Sequence, residues 1–246
     1  MYHFYTDRGQ ISEKEITLTG SDVNHIKNVL RMREGEKLII CDGEGTDYHC
    51  AVKTLSESEV VCEILKSAGT ESELETKIVL FQGLPKKDKM ELIIQKAVEL
   101  GVTEIVPVMT KRVIVKPGDE KKERSRIERY NEIARSAAKQ SGRGIVPKVT
   151  QLMDLKKALE YASDCDLKLI PYENAEGMAR ARELVASAKG REKIAVFIGP
   201  EGGFEPSEVE LAESFGCEAM TLGRRILRTE TAGLALLAVL MFGLDE

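Results

Sequence analysis

The sequence predicts an α/β protein in two parts, a small β-barrel followed by a larger domain built on a mostly parallel sheet. Three observations carry this. The first seventy residues hold short β-like runs split by turn signals, a polar stretch without periodicity follows at 66–77, and beyond it apolar strands alternate with longer helical segments. A chain of 246 residues, 42% hydrophobic and 31% charged, is long enough for two ordinary domains, and the change of pattern favours two over one.

In the first part, KLIICDG, DYHCAVKTL and EVVCEIL read as strands, with turns at Asp42-Gly43 and Ser56-Glu57-Ser58. Gly43-Glu44-Gly45 is most simply a turn as well. One helix interrupts the strands: SDVNHIKNVLRMREGE starts with Ser21 as N-cap, places Val23, Ile26, Val29 and Leu30 on one face, and stops at Gly35. Lys27 and Arg31, four apart, project together from the other face, toward a phosphate backbone or simply toward solvent. KSAGTESELETK, residues 66–77, reads as a linker, which sets domains of 1–70 and 71–246.

The second part runs through the strand KIVLFQGL, a helix over DKMELIIQKAVELG, the strand EIVPVM and a helix over SRIERYNEIARSAAKQSG. The strand LKLIPY, a helix, the strand KIAVFIGP, a second helix, the short strand EAMTLG and a closing helix complete it. Such alternation implies a parallel sheet covered on both faces, with ligands at the carboxyl ends of its strands.

Two strand ends are unusual. After KIAVFI comes Gly199-Pro200-Glu201-Gly202-Gly203-Phe204, where three glycines in five positions let the backbone turn sharply and present bare N–H and C=O groups. Pro206 then suits the first turn of a helix. Neither the phosphate-cradling G-x-x-x-x-G-K-S/T nor the dinucleotide-binding G-x-G-x-x-G is present. The second end, AMTLG, leads into RRILRTETAGLALL, where Thr229 or Thr231 can cap the closing helix. Arg224, Arg225 and Arg228 sit against the positive end of that helix dipole, an unfavourable place unless something anionic lies near: Glu201, Glu230 or RNA.

Composition narrows the function classes. A net charge of −5 argues against a uniformly basic nucleic-acid binder, yet between Lys111 and Lys148 twelve Lys or Arg face only five Asp or Glu. Cys41, Cys50, Cys62, Cys165 and Cys217 form no C-x-x-C pair, and with His3, His25 and His49 as the only histidines no metal site is expected. The start MYHFYTDRGQ has no apolar signal core, and the run from Ala232 to Leu244 is too short to span a bilayer, so a reduced, cytoplasmic protein is expected.

Taken together, IGPEGGF, LGRRILRTETA, KKDKMELIIQKAVELGV, KRVIVK, ARSAAKQSGRGIVPKV and HIKNVLRMREGE make a specific set. The chain resembles, over nearly its whole length, the bacterial 16S ribosomal RNA uracil-N3 methyltransferase family of the SPOUT class. The resemblance implies a homodimer, each subunit carrying a PUA-like RNA-binding β-barrel at 1–70 and a SPOUT methyltransferase domain with a trefoil knot at 71–246. Residue patterning alone would not suggest the knot, because chains seldom thread themselves. The cofactor implied is S-adenosyl-L-methionine, with no metal. Its adenine is expected against backbone groups of Leu222, Gly223 and Leu227, with Gly199, Glu201 and Gly202 alongside. Pro200, Gly203, Ile226, Arg228 and Thr231 complete the donor site, and Leu169, Ile170 and Pro171 are carried over from the end of LKLIPY.

The implied substrate is a uridine of 16S rRNA, in the setting of the small ribosomal subunit. Uracil N3 becomes a good nucleophile only as its proton leaves, and negative charge then spreads onto O2 and O4. Methyl transfer therefore needs in-line placement of N3 and a cation or donors aimed at those oxygens. Arg228 is the first candidate for that cation, with a plain phosphate contact as its rival; Glu230 either accepts the proton or holds Arg228. N3 lies on the pairing edge, so the target uridine must be unpaired or flipped.

Arg112, Arg135, Lys139 and Arg143 are expected to face RNA, Ala134, Ala137, Ala138 and Ser141 forming a small-residue packing face on the same helix; ion pairs with Glu128 and Glu132 are the alternative. Lys89 is counted with the RNA-facing set, with a structural role as its alternative, whereas Lys96 and Glu99 are expected to pair on a helix surface. Two other readings stay open: a SPOUT enzyme acting on a ribose 2'-hydroxyl or another base, and a non-catalytic RNA-binding assembly factor.

Overall fold

A computed structural model describes residues 1–86, 88–114, 118–175 and 177–245. Lys87, Val115 and Lys116, within two of the sequence motifs, lie outside the described residues. The chain forms two compact units: Met1–Glu73 with Ala138–Val146, and Leu74–Ala137 with Pro147–Glu246.

The first unit is a five-stranded sheet with strands β1 (Tyr2–Tyr5), β2 (Glu15–Thr19), β3 (Lys37–Cys41), β4 (Thr46–Leu55) and β5 (Glu59–Gly69) in the order β1-β3-β4-β5-β2. Only β1 and β3 run parallel. Because β1 and β2 stand at opposite edges, the expected barrel is a half-barrel, a curled sheet around Phe4, Ile16, Leu18, Leu38, Ile40, Val52 and Val60. Asp42 Oδ1 accepts the N–H groups of Glu44 and Thr46 at 2.8 and 3.0 Å and closes the β3–β4 turn.

Three local expectations change here. The helix is α1 (Ser21–Asn24), continuing as a wide π turn over His25–Val29, and Gly20, at φ 70°, precedes it in place of a Ser21 cap. Val23 and Ile26 are buried, but the wider turn rotates Val29 out to 64% exposure. Arg31 lies beyond the helix at φ 54°, so it shares no helix face with Lys27. The stretch taken as a linker is strand through Gly69, and its next residues are pinned: Gly144 N–H donates to Ser72 Oγ at 3.0 Å, and Arg143 Nε to Glu73 Oε1 at 3.0 Å.

The second unit is an all-parallel sheet. Its strands are β6 (Lys77–Gly83), β7 (Val102–Met109), β8 (Lys148–Val149), β9 (Met153–Asp154), β10 (Leu167–Pro171), β11 (Lys193–Ile198) and β12 (Glu218–Met220), in the order β12-β10-β11-β6-β7-β8 with β9 also on β7. The helices are α2 (Lys89–Glu99), α3 (Glu120–Ser141), α4 (Leu155–Tyr161), α5 (Met178–Ala186), α6 (Pro206–Ser214) and α7 (Thr229–Leu244). Alternation along the strands divides the core. Val79, Phe81, Val106, Val108, Ala195 and Phe197 pack against α4 and α6, with the Phe81 and Phe197 rings stacked 4.3 Å apart. The opposite face meets α2 and α7.

In α6, Pro206 is the first helical residue, and Glu208 Oε2 accepts the N–H of Glu205 at 2.9 Å. The two-residue strand β8, and β9 and α4 within QLMDLKKALEY, escape the sequence pattern. There Asp154 caps α4 by accepting the N–H of Lys157 at 2.9 Å. All five cysteines are free and buried.

Candidate active site

Three loops at the carboxyl ends of β10, β11 and β12 enclose one cleft of about 220 Å³. Pro171 to Glu173, Ile198 to Phe204 and Thr221 to Leu227 form its walls, and Thr229 and Ala232 of α7 border it. This is where an open parallel sheet places its ligands.

Glycine at two positions makes the geometry possible. A Cβ on Gly83, the last residue of β6, would stand 2.7 Å from the Pro200 ring, so only glycine lets that loop pass so close. Gly203 adopts φ 66°, and a side chain there would meet the Glu173 carboxylate at 3.2 Å. The intervening turn is held by a Gly203 N–H to Pro200 O bond of 2.9 Å and by Arg112, whose Nη1 donates to Gly202 O at 2.7 Å.

Glu201 points from this loop toward α2. Its Oε1 accepts the Lys86 N–H at 3.1 Å and stands 3.2 Å from Lys89 Nζ. Lys89 Nζ is also 3.2 Å from the buried Glu230 Oε2, so the ammonium stands between two carboxylates. The Glu230 carboxylate and then Glu201 raise the Lys89 pKa. Burial pushes Glu201 up, but its own N–H, that of Lys86 and the Lys89 ammonium together hold it below the usual carboxylate range.

The sequence-expected donor residues divide. Pro171, Gly199, Pro200, Glu201, Gly202, Gly203, Leu222, Gly223, Ile226 and Leu227 all border the cleft. Leu169 and Ile170 do not: both are 0% exposed and their backbones are paired in the sheet, so the carried-over strand end reaches the cleft only at Pro171. Arg228, Glu230 and Thr231 lie outside the lining, whereas Arg224 and Arg225 are within it. Neither threonine caps α7 through its side chain. Arg228 occupies the cap position, its carbonyl accepting the Ala232 N–H at 2.8 Å, and its side chain is exposed.

The basic residues expected to face RNA also divide. Lys139 is exposed and lies 5.7 Å from the Tyr5 ring centre, while Arg135 is half-buried. Lys27 donates to Glu57 and to the Ser56 carbonyl. Arg143 is 3% exposed and paired with Glu73, so it does not face outward; an arginine this buried needs its carboxylate. Lys89 and Arg112 serve the cleft loops described above. On α3, Ala134, Ala137 and Ala138 are buried and Ser141 is exposed; its ion pairs include Lys122–Asp119, Arg126–Glu123 and Arg129–Glu91. Lys96 and Glu99 pair at 2.8 Å as expected.

Sequence reading missed Glu173 and Tyr172, although both directly follow a strand end, and Gln82, a glutamine inside an otherwise apolar strand. Among the described residues no cluster of His, Cys, Asp and Glu is placed to hold a metal, and no helix is long and apolar enough to cross a membrane.

Comparison with known proteins matches residues 72–241 to an RNA methyltransferase domain and 18–65 to an RNA methyltransferase PUA domain. Ribosomal RNA small subunit methyltransferase E of Bacillus subtilis is 38% identical, covering 98% of this chain and 95% of its own. The protein of the same name from Mesomycoplasma hyopneumoniae is 35% identical over 96% and 97%. The Neisseria gonorrhoeae enzyme, solved bound to S-adenosyl methionine, superposes with a TM-score of 0.79 at 35% identity over 97% and 95%. Matched along both units, with a cleft where such a sheet binds its ligand, the chain belongs to the RNA methyltransferase family that contains the Ribosomal RNA small subunit methyltransferase E proteins.

Proposed function

We propose that this chain transfers a methyl group from S-adenosylmethionine to N3 of a uridine in the 16S rRNA of the small ribosomal subunit. The observation that carries the proposal is the three-loop cleft. Its bare glycine backbone and apolar Leu222, Leu227 and Phe204 suit an adenine ring, and the Glu173 carboxylate beside Gly203 suits a cationic ligand. Bound there, S-adenosylmethionine supplies an activated methyl group on a positively charged sulfur.

The remaining work falls to the protein. We assign residues 1–70 to RNA binding and 71–246 to catalysis, with Lys27, Arg31, Arg135 and Lys139 as RNA contacts. Arg228, exposed beside the cleft, is assigned to the charge growing on uracil O2 and O4 as the N3 proton leaves. Of the two roles open to Glu230, acceptor of that proton is favoured over holding Arg228, since Glu230 pairs with Lys89 at 3.2 Å and makes no ion pair with Arg228 among the described residues. The proposal includes a trefoil knot formed by segments 199–204 and 222–231, which adjoin through the Thr229–Gly199 hydrogen bond. It includes a homodimer, supported by Phe242, 84% exposed on the apolar α7, and a cytoplasmic location.

Two measurements test it. Calorimetry should show saturable binding of S-adenosylmethionine, and a protein without donor affinity would be a binding module instead. Mass spectrometry of digested 16S rRNA from a deletion strain should show 3-methyluridine missing; its persistence, with a different methylated nucleoside lost, would assign the enzyme to another target.

A further inference from the structure

Gln82 is 0% exposed near the end of β6, the strand flanked by β11 and β7. It shares a face with Ile78 and Leu80, where a leucine would pack without any polar demand. Its Nε2 donates to the Gly83 carbonyl and to Thr229 Oγ1, both at 2.9 Å, and its Oε1 has no partner among the described residues. Thr229, 4% exposed, passes its own hydroxyl proton to the Gly199 carbonyl at 2.6 Å. A half-satisfied buried amide is a poor choice for stability alone.

We propose that Gln82 is a positioning residue for the methyl donor: through Thr229 it fixes the Gly199 carbonyl and the first turn of α7, and so sets the spacing of two of the loops around the cleft. The proposal rests on the donor-binding reading above. The direction of the chain is what matters. With the amide nitrogen turned to Thr229, the threonine oxygen is already an acceptor, and its single proton is left for Gly199. A reversed amide would draw that proton to Oε1 and leave the Gly199 carbonyl without its donor. Gly199 and Thr229 border the cleft whereas Gln82 does not, so its influence on a bound donor passes through the relay.

The test uses the full chain with S-adenosylmethionine as titrant, in calorimetry and in steady-state methylation of 16S rRNA. Gln82→Leu and Thr229→Val should each weaken donor binding by about tenfold, one hydrogen bond's worth. They should raise KM for the donor far more than they lower kcat, leave KM for RNA unchanged, and in the case of Gln82→Leu keep Tm at or above that of the wild type. Thr229→Ser, which keeps the hydroxyl, should restore wild-type affinity. The double variant should be no weaker than the worse single one, because both break one chain. Wild-type donor affinity in both variants, or full additivity in the double, overturns the proposal. If Gln82→Leu does not fold, the Thr229→Val and Thr229→Ser pair still decides it: equal affinity in the two overturns the relay. A wild-type protein that binds no donor would instead overturn the functional reading, and this inference with it.

Discussion

At the scale of single residues, the three arginines at the head of the closing helix have separate places. Arg224 and Arg225 border the cleft, and Arg228 stands just outside it as the helix cap. The sequence could show their crowding but not this division, which depends on where the loop after β12 turns. If Arg228 acts on the transition state, Arg228→Ala should lower kcat by about 10²–10³ while changing donor affinity less than about twofold. Calorimetry alongside single-turnover methylation checks this, and a parallel loss in both would make Arg228 a donor ligand. Lys89 shows the opposite case, a charge reserved for neighbours. Glu201 is held below its ordinary pKa, so its pairing adds stability that is present above the ordinary carboxylate range and lost as pH falls through the lowered value. Lys89→Met should therefore be less stable than wild type at pH 7, with the gap narrowing on acidification through that window. Urea denaturation at a series of pH values reads it directly, and a gap independent of pH would mean the ion pair contributes nothing through Glu201.

Among elements, the β/α alternation was legible because each strand is a short apolar run bounded by turns and each helix has its own period. The π turn at His25–Val29 was not, since one extra residue in a turn leaves no mark in a 3.6-residue pattern. Nor were β8 and β9, too short to show any period. In α7 apolar composition and burial part company. The run from Ala232 looks wholly buried, yet burial is confined to Thr229, Gly233, Leu236, Leu237 and Leu240, while Val239 and Phe242 are 52% and 84% exposed. An apolar helix with a bare face is what a subunit interface leaves on one protomer. If the proposed homodimer forms through this face, Phe242→Glu should raise its dissociation constant by about thirtyfold or more, as loss of an aromatic anchor does. Sedimentation velocity across a concentration series measures this, and an unchanged dimer would move the interface elsewhere.

For the whole molecule, the informative quantity is where the charge goes after folding. The sequence places twelve basic residues against five acidic ones between Lys111 and Lys148, and a one-dimensional count treats them all as available. Folding spends several on carboxylates elsewhere in the chain: Lys111 on Glu205, Arg129 on Glu91 and Arg143 on Glu73. Lys139, assigned above to RNA, remains exposed on α3. The two kinds of cation should separate cleanly in RNA binding. Removing an exposed cation that meets phosphate should reduce the slope of log K against log salt by about 0.7–0.9, the yield of one released counterion. Lys139→Ala is expected to behave this way. Arg143→Ala should leave the slope unchanged and act on stability instead, because it takes the charge partner from the Glu73 carboxylate, 10% exposed and held otherwise by the Ile145 N–H. Breaking such a pair costs about 3–5 kcal/mol, a fall in Tm of about 6–20 °C for a chain of this size. Filter binding across a salt series, paired with thermal denaturation, distinguishes the two. If Arg143→Ala flattened the salt dependence without lowering Tm, the arginine would be an RNA contact, and its pairing with Glu73 would have to give way when RNA binds.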